Sequence, residues 1–159
     1  MVNPSYNYRA KREMYSSGAL LLLGTLATQY GHDVSIIHMI ADDMDVGDVL
    51  DIIKSSGIDI VGIKVNTFQV NTATALVNQI KTLPGVKVIV GGPHPTSIGL
   101  EAARISFPEA DEIVIGEGEH KFLSFLQGTE ITKPDNLEYI CPPNLSLVDI
   151  SKFRGAYPL

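Results

Sequence analysis

The sequence predicts an open-sheet α/β domain built on parallel strands. Three observations carry this. Strand and helix signals alternate along the chain. The run 59–65 is apolar almost throughout, interrupted by Lys64, as a strand covered on both faces is. Two strands lead directly into glycine-rich turns, Gly91-Gly92-Pro93-His94-Pro95-Thr96 and Gly116-Glu117-Gly118-Glu119. At 159 residues, with 45% apolar and 19% charged side chains, the chain has the size and balance of one globular domain.

The elements follow in order. Met1-Val2 leaves only a stub of a first strand before Asn3-Pro4. A leucine-rich, deeply buried helix is expected over 16–30, capped by Ser16 or Ser17 and ended by Gly31. Val34, Ile36 and Ile37 mark a strand over 33–39. A second helix starts at Asp45, with Val46, Val49, Leu50 and Ile53 on one face, and Gly57 closes it. After the strand 59–65, a third helix spans 69–83 and stops at Pro84-Gly85. The strand 86–90, a short helix over 98–107, the strand 112–115 and a helix to Gln127 complete the pattern. Residues 1–128 thus form the domain. Pro134, Pro142, Pro143 and Pro158 punctuate 129–159, which reads as a linker or wrapping tail. With so short a first strand, the sheet is expected to leave an apolar slot beside the strand ending near Val65.

Composition excludes several classes. The net charge is −6, and the one dense basic cluster, Arg9, Lys11 and Arg12, is no nucleic-acid stripe. Cys141 is the single cysteine, so neither an internal disulfide nor a thiolate-rich metal site is available. The N-terminus has no secretory pattern, and Ala19 to Leu23 is far shorter than the ~20 residues of a membrane span. A cytoplasmic protein, with neither membrane nor nucleic-acid partner, is the expectation.

Ligands of open parallel sheets sit beyond the carboxyl ends of the strands. Gly91 and Gly92 let backbone approach a ligand closely, Pro93 and Pro95 stiffen the loop around His94, and Thr96 caps the next helix or bonds a ligand. Gly116 and Gly118 permit tight turning, with Glu117 and Glu119 at a helix start where negative charge is favourable. Asn66, Thr67 and Gln69 follow a buried strand and either cap a helix or line the site. His38 is placed to face a ligand, while His32 and His120 read as solvated. No histidines pair at metal-ligand spacing, and no nucleophile elbow, Walker loop or dinucleotide fingerprint occurs. No catalytic residue is therefore assigned.

These residues, in this order, resemble the N-terminal cobalamin-binding domain of cobalamin-dependent radical SAM enzymes. The resemblance rests on Asn3-Pro4, the leucine-rich helix, Gly31-His32-Asp33-Val34, Asp59-Ile60-Val61-Gly62-Ile63 and the two glycine loops, and covers about residues 1–127. Leu147-Val148-Asp149 and Phe153 resemble the linker into the radical SAM barrel. The resemblance implies a flavodoxin-like (Rossmannoid) sheet with helices on both faces. Cobalamin would lie across its carboxyl edge, lined by Asn66, Thr67, Gln69, Gly91 to Thr96 and Gly116 to Glu119.

Two departures sharpen the expectation. Other cobalamin domains place an Asp-x-His-x-x-Gly loop after the first strand, whose histidine ligates cobalt; here Asn3-Pro4-Ser5-Tyr6-Asn7-Tyr8 has none. Cobalt is then held without a histidine ligand, with Tyr6 or Tyr8 packing nearby. One cysteine also cannot supply a Cys-x-x-x-Cys-x-x-Cys cluster site, so the chain carries no iron–sulfur cluster and needs a radical SAM catalytic domain in cis or in trans. The alternative is a flavodoxin-like signalling or scaffold domain that has lost the cofactor.

Overall fold

The computed structural model describes residues 1–4, 17–131 and 142–152. Strands β1 (Val2–Asn3), β2 (Ile37–His38), β3 (Ile60–Lys64), β4 (Lys87–Gly91) and β5 (Glu112–Ile113) form one parallel sheet in the order β2-β1-β3-β4-β5. Helices α1 (Gly18–Gln29), α2 (Val46–Ser56), α3 (Val70–Ile80), α4 (Pro93–Ile98), α5 (Leu100–Ser106) and α6 (Glu119–Gln127) flank it. The expected fold class is the one observed.

Strand alternation divides the core between two faces. Val61, Ile63, Val65, Val88, Val90 and Ile113 pack with Val49 and Ile53 of α2, Leu76, Val77 and Ile80 of α3, and Ala103 of α5. Full burial of each such aliphatic side chain contributes about 1.5–3 kcal/mol, so this face dominates stability. The opposite face is thinner: Ile89 and Val114 meet Ala27 of α1 and Phe122 of α6. Gly62 and Gly91 fall on that thinner face, and their missing side chains shape what lies there.

Local chemistry explains the boundaries. Ser17 caps α1, its Oγ accepting from the Leu20 N–H at 3.4 Å. Asp45 and Asp48 cap α2 reciprocally, each side chain accepting from the other's N–H at 3.0 and 2.8 Å. The expected strand 33–39 contracts to two bonded residues because its neighbour in the sheet, β1, is short: Ile37 N–H donates to Met1 O at 2.8 Å and the Met1 amino group to Ser35 O at 2.6 Å.

One larger correction concerns 91–98. The sequence suggests a proline-stiffened loop followed by a helix over 98–107. Instead Gly91 is the last residue of β4, Gly92 is the N-cap, and α4 begins at once with Pro93. Proline is favoured at the first helical position, and both prolines sit in a first turn whose N–H groups have no intrahelical partner to lose. Gly99 then separates α4 from α5. Within the tail, Asn144 N–H donates to Thr25 Oγ1 at 2.8 Å and Lys152 reaches Asp42 at 2.5 Å, so 142–152 strap across α1. Among the described residues no helix is long and apolar enough to cross a membrane.

Asp111 ties the lower edge together. Its Oδ2 accepts from Val88 N–H at 2.6 Å and from the Lys81 ammonium at 2.8 Å. Desolvation opposes its ionisation, but the Lys81 and Val88 bonds prevail and hold the carboxyl below its ordinary value of 3.8. A depressed carboxyl stabilises above its unfolded pKa, and the gain is lost as pH falls through the folded value. Asp111→Asn is therefore expected to lower stability by about 1–2 kcal/mol at neutral pH, with the deficit shrinking below pH ~4. Urea midpoints at pH 7 and pH 3 check this; equal midpoints at pH 7 would contradict it.

Candidate functional site

The strand order reverses direction between β1 and β3, and open α/β sheets bind ligands at such a switch point, beyond the strand carboxyl ends. Here the thinner face opens into an apolar groove of about 190 Å³. Gly62, Ile89, Gly91 and Val114 form its floor, Leu20 and Leu23 of α1 and Phe122 of α6 its walls, and Gly116 to Glu119 its rim. The glycines make the groove. A Cβ on Gly62 would stand 3.3 Å from Met1 Cγ and 3.6 Å from Ile89 Cγ2, and one on Gly91 would stand 3.3 Å from Val114 Cβ. Glycine inside a strand marks a close approach by another group.

The two glycine turns are locked to the sheet and to each other. Val65 N–H donates to Gly91 O at 2.8 Å, and His94 N–H donates to Val65 O at 3.0 Å. Thr96 Oγ1 donates to Gly92 O at 2.9 Å and accepts from Gly116 N–H at 3.0 Å. Thr96 is thus neither a cap for the following helix nor a free hydroxyl: it is the strut between the two turns.

The structure distributes the predicted site residues unevenly. Gly91, Gly92, Gly116, Glu117, Gly118 and Glu119 line the groove. Pro93, His94, Pro95 and Thr96 form the helical turn above it and are absent from its lining. Asn66 and Gln69 serve the protein itself: Asn66 N–H donates to Gln69 Oε1 at 2.9 Å, and Gln69 Nε2 donates to Pro4 O, tying β3 to β1. Gln69 is 1% exposed, and Thr67 opens the 3-10 turn Thr67–Gln69. The sequence reading missed Met1, Gly62, Lys64 and Phe122; the signal was a glycine and a lysine two apart in an otherwise apolar strand.

The histidines stand apart from the groove lining. His38 is buried at the end of β2, its N–H donating to Asp42 Oδ2 at 2.8 Å. Desolvation lowers its imidazole pKa, Asp42 opposes that shift, and Lys64 adds to it. His32 and His120, expected in solvent, are half-buried, and His32 Nε2 lies 3.0 Å from Gln127 Nε2. The buried Nδ1 of His94 has no hydrogen-bond partner among the described residues. Among the described residues no group of three histidine, cysteine or acidic side chains converges on a metal position. Tyr6, Tyr8, Arg9, Lys11, Arg12, Cys141 and Phe153 lie outside the described residues.

The space beside β3 is not the apolar slot expected: His32, Asp33, Ser35, Ser56 and Asp59 contribute to its lining. A second cavity, about 410 Å³, lies on the same face beneath Met1, lined by Ala27, Val34, Ile60 and Leu126 among others. Met1, Gly62 and Phe122 line both cavities.

Cobalamin can be tested against this geometry. Its nucleotide tail ends in a flat aromatic base, carried on a polar ribose and phosphate. A groove slightly larger than the ~150 Å³ that accommodates benzene, apolar below and polar at the rim, suits such a tail. Side chains on Gly62 or Gly91 would close it.

Comparisons with known proteins agree. The B12 binding domain family matches residues 7–126. The chain is 35% identical over 125 residues to an uncharacterised methyltransferase of Pyrococcus horikoshii, an alignment covering 77% of this chain and 27% of that protein. The chain therefore spans about a quarter of that relative's length. No solved structure matches it. The glycine-floored groove at the switch point and a family match through most of the chain meet in one conclusion: the chain belongs to the B12-binding domain family, and its cofactor is cobalamin.

Proposed function

We propose that this domain holds cobalamin with the corrin ring over the strand carboxyl ends and the nucleotide tail in the groove, without a histidine lower ligand. It presents the cofactor to a separate radical SAM-type catalytic unit for methyl transfer or related chemistry. The observation that carries this reading is the apolar groove floored by Gly62 and Gly91. Support for the partner comes from the motif order, from a single cysteine that leaves cluster chemistry to another polypeptide or domain, and from the methyltransferase name of the relative. On this reading residues 1–128 are the cobalamin unit and 129–159 lead toward the catalytic unit.

Bound cobalamin supplies a cobalt atom that accepts and releases a methyl group. The chain supplies the surroundings. Leu20, Leu23 and Phe122 exclude water from the tail, Gly62 and Gly91 give it depth, and Thr96 keeps the two rim turns in register. Among the described residues no histidine lines the groove, and the sequence of the β1–α1 loop contains none.

The test is direct. Purified chain mixed with hydroxocobalamin and desalted is expected to retain corrin absorbance near one equivalent. After reduction to the cobalt(II) form, its electron paramagnetic resonance spectrum should lack nitrogen superhyperfine splitting, because neither imidazole nor the tail base sits on cobalt. Loss of all colour on desalting would overturn the binding mode, and nitrogen splitting would overturn the ligand assignment.

A further inference from the structure

Among the described residues, the groove lining holds one cationic side chain. It is Lys64, the last residue of β3, and the other charged side chains of that lining are Glu117 and Glu119. Alternation puts Lys64 on the same face as Gly62, and its stem crosses Gly92: a Cβ on Gly92 would lie 3.0 Å from Lys64 Cγ. The residue is half-buried, and no ion pair or hydrogen bond engages its ammonium among the described residues. Burial, with no compensating acid, lowers its pKa from 10.5. Three other described lysines are paired, Lys54 with Asp51, Lys81 with Asp111 and Lys152 with Asp42. A half-buried ammonium without an anion costs folding free energy, and a ligand anion removes that cost on binding.

We propose that Lys64 pairs with the phosphodiester of the cobalamin nucleotide tail, and so selects corrinoids that carry the complete tail over those that lack it. This inference rests on the cobalamin reading above. The tail offers one anionic group, the phosphodiester between corrin arm and ribose. Lys64 stands at the mouth of the groove beside Gly91 and Gly92, where the polar part of a tail whose base lies deeper would pass. The corrin periphery, by contrast, carries neutral amides, which have no need of a cation.

The experiment compares hydroxocobalamin with cobinamide, which keeps the corrin amides and lacks phosphate, ribose and base. Affinities are read by visible titration for the wild-type chain and Lys64→Gln, at low and high potassium chloride. Wild type is expected to bind cobalamin roughly tenfold more tightly than Lys64→Gln, with the gap closing at high salt. Cobinamide is expected to bind both proteins alike. Thermal melting of Lys64→Gln should not fall below wild type, since an unpaired ammonium has been removed. Equal cobalamin affinities, or a parallel loss for cobalamin and cobinamide, would overturn the role of Lys64 while leaving cobalamin binding intact. A wild-type chain that binds neither corrinoid would take down the cobalamin reading and this inference together.

Discussion

Gly62→Leu is expected to reduce hydroxocobalamin affinity on the order of 100-fold, about 2.7 kcal/mol, while the far-ultraviolet dichroism stays native. Gly62 sits in the middle of β3 facing the groove, between Met1 and Ile89, with Phe122 Cε2 3.7 Å from the place a Cβ would take. A leucine there occupies the space assigned to the tail base. The hydrogen bonds of β3 to β1 and β4 are backbone bonds and survive the change. Overpacking against Met1 costs about 1–3 kcal/mol of stability, a price the larger opposite core can tolerate. Visible titration against the folded variant reads the effect. Undiminished affinity in a natively folded Gly62→Leu protein would place the tail somewhere else.

Gly92→Ala is expected to lower stability by about 2–4 kcal/mol and to weaken corrinoid retention with it. Gly92 has φ 107° and ψ −171°, a region open essentially to glycine alone, where an L-residue carries ~1–3 kcal/mol of strain. Its Cβ would also stand 3.0 Å from both Val65 N and Val65 O. Relief requires the β4–α4 turn to move away from β3, which breaks the His94 N–H bond to Val65 O and shifts Thr96 from Gly116. The prediction is read as a urea midpoint and as retained corrin absorbance. A variant with wild-type values for both would show that this turn does not need its glycine.

The sequence made the framework legible where local chemistry and tertiary structure agree. Asp45 and Gly57 bracket α2 as capping rules require, and the β-branched runs of β3 and β4 announce buried strands. It was less informative where two physical roles share one residue type. Pro93 and Pro95 stiffen a loop or start a helix, and only the position of Gly92 as N-cap decides between them. Gln69 looks like a ligand donor, yet its side chain bonds the Asn66 N–H and reaches across to Pro4. The groove itself was the hardest part to see. Its floor joins Gly62, Gly91, Ile89 and Val114 through strand register, and its end is closed by Met1, sixty-one positions from Gly62 in sequence. No local pattern encodes that meeting.

Met1 gives this arrangement a mechanical character of its own. Its side chain lies between two glycines, with Cε 3.0 Å from the Cβ position of Gly24 on α1 and Cγ 3.3 Å from that of Gly62 on β3, and it borders both cavities of this face. A thioether with three rotatable bonds is a yielding partition. The mouth of the groove is framed by glycine turns bonded to each other through Thr96; its far wall borders the space beneath. With the tail in the groove as proposed, its attachment would meet a stiff gauge and its terminal base a soft one, and a bulkier base would be met by rotation of the Met1 side chain.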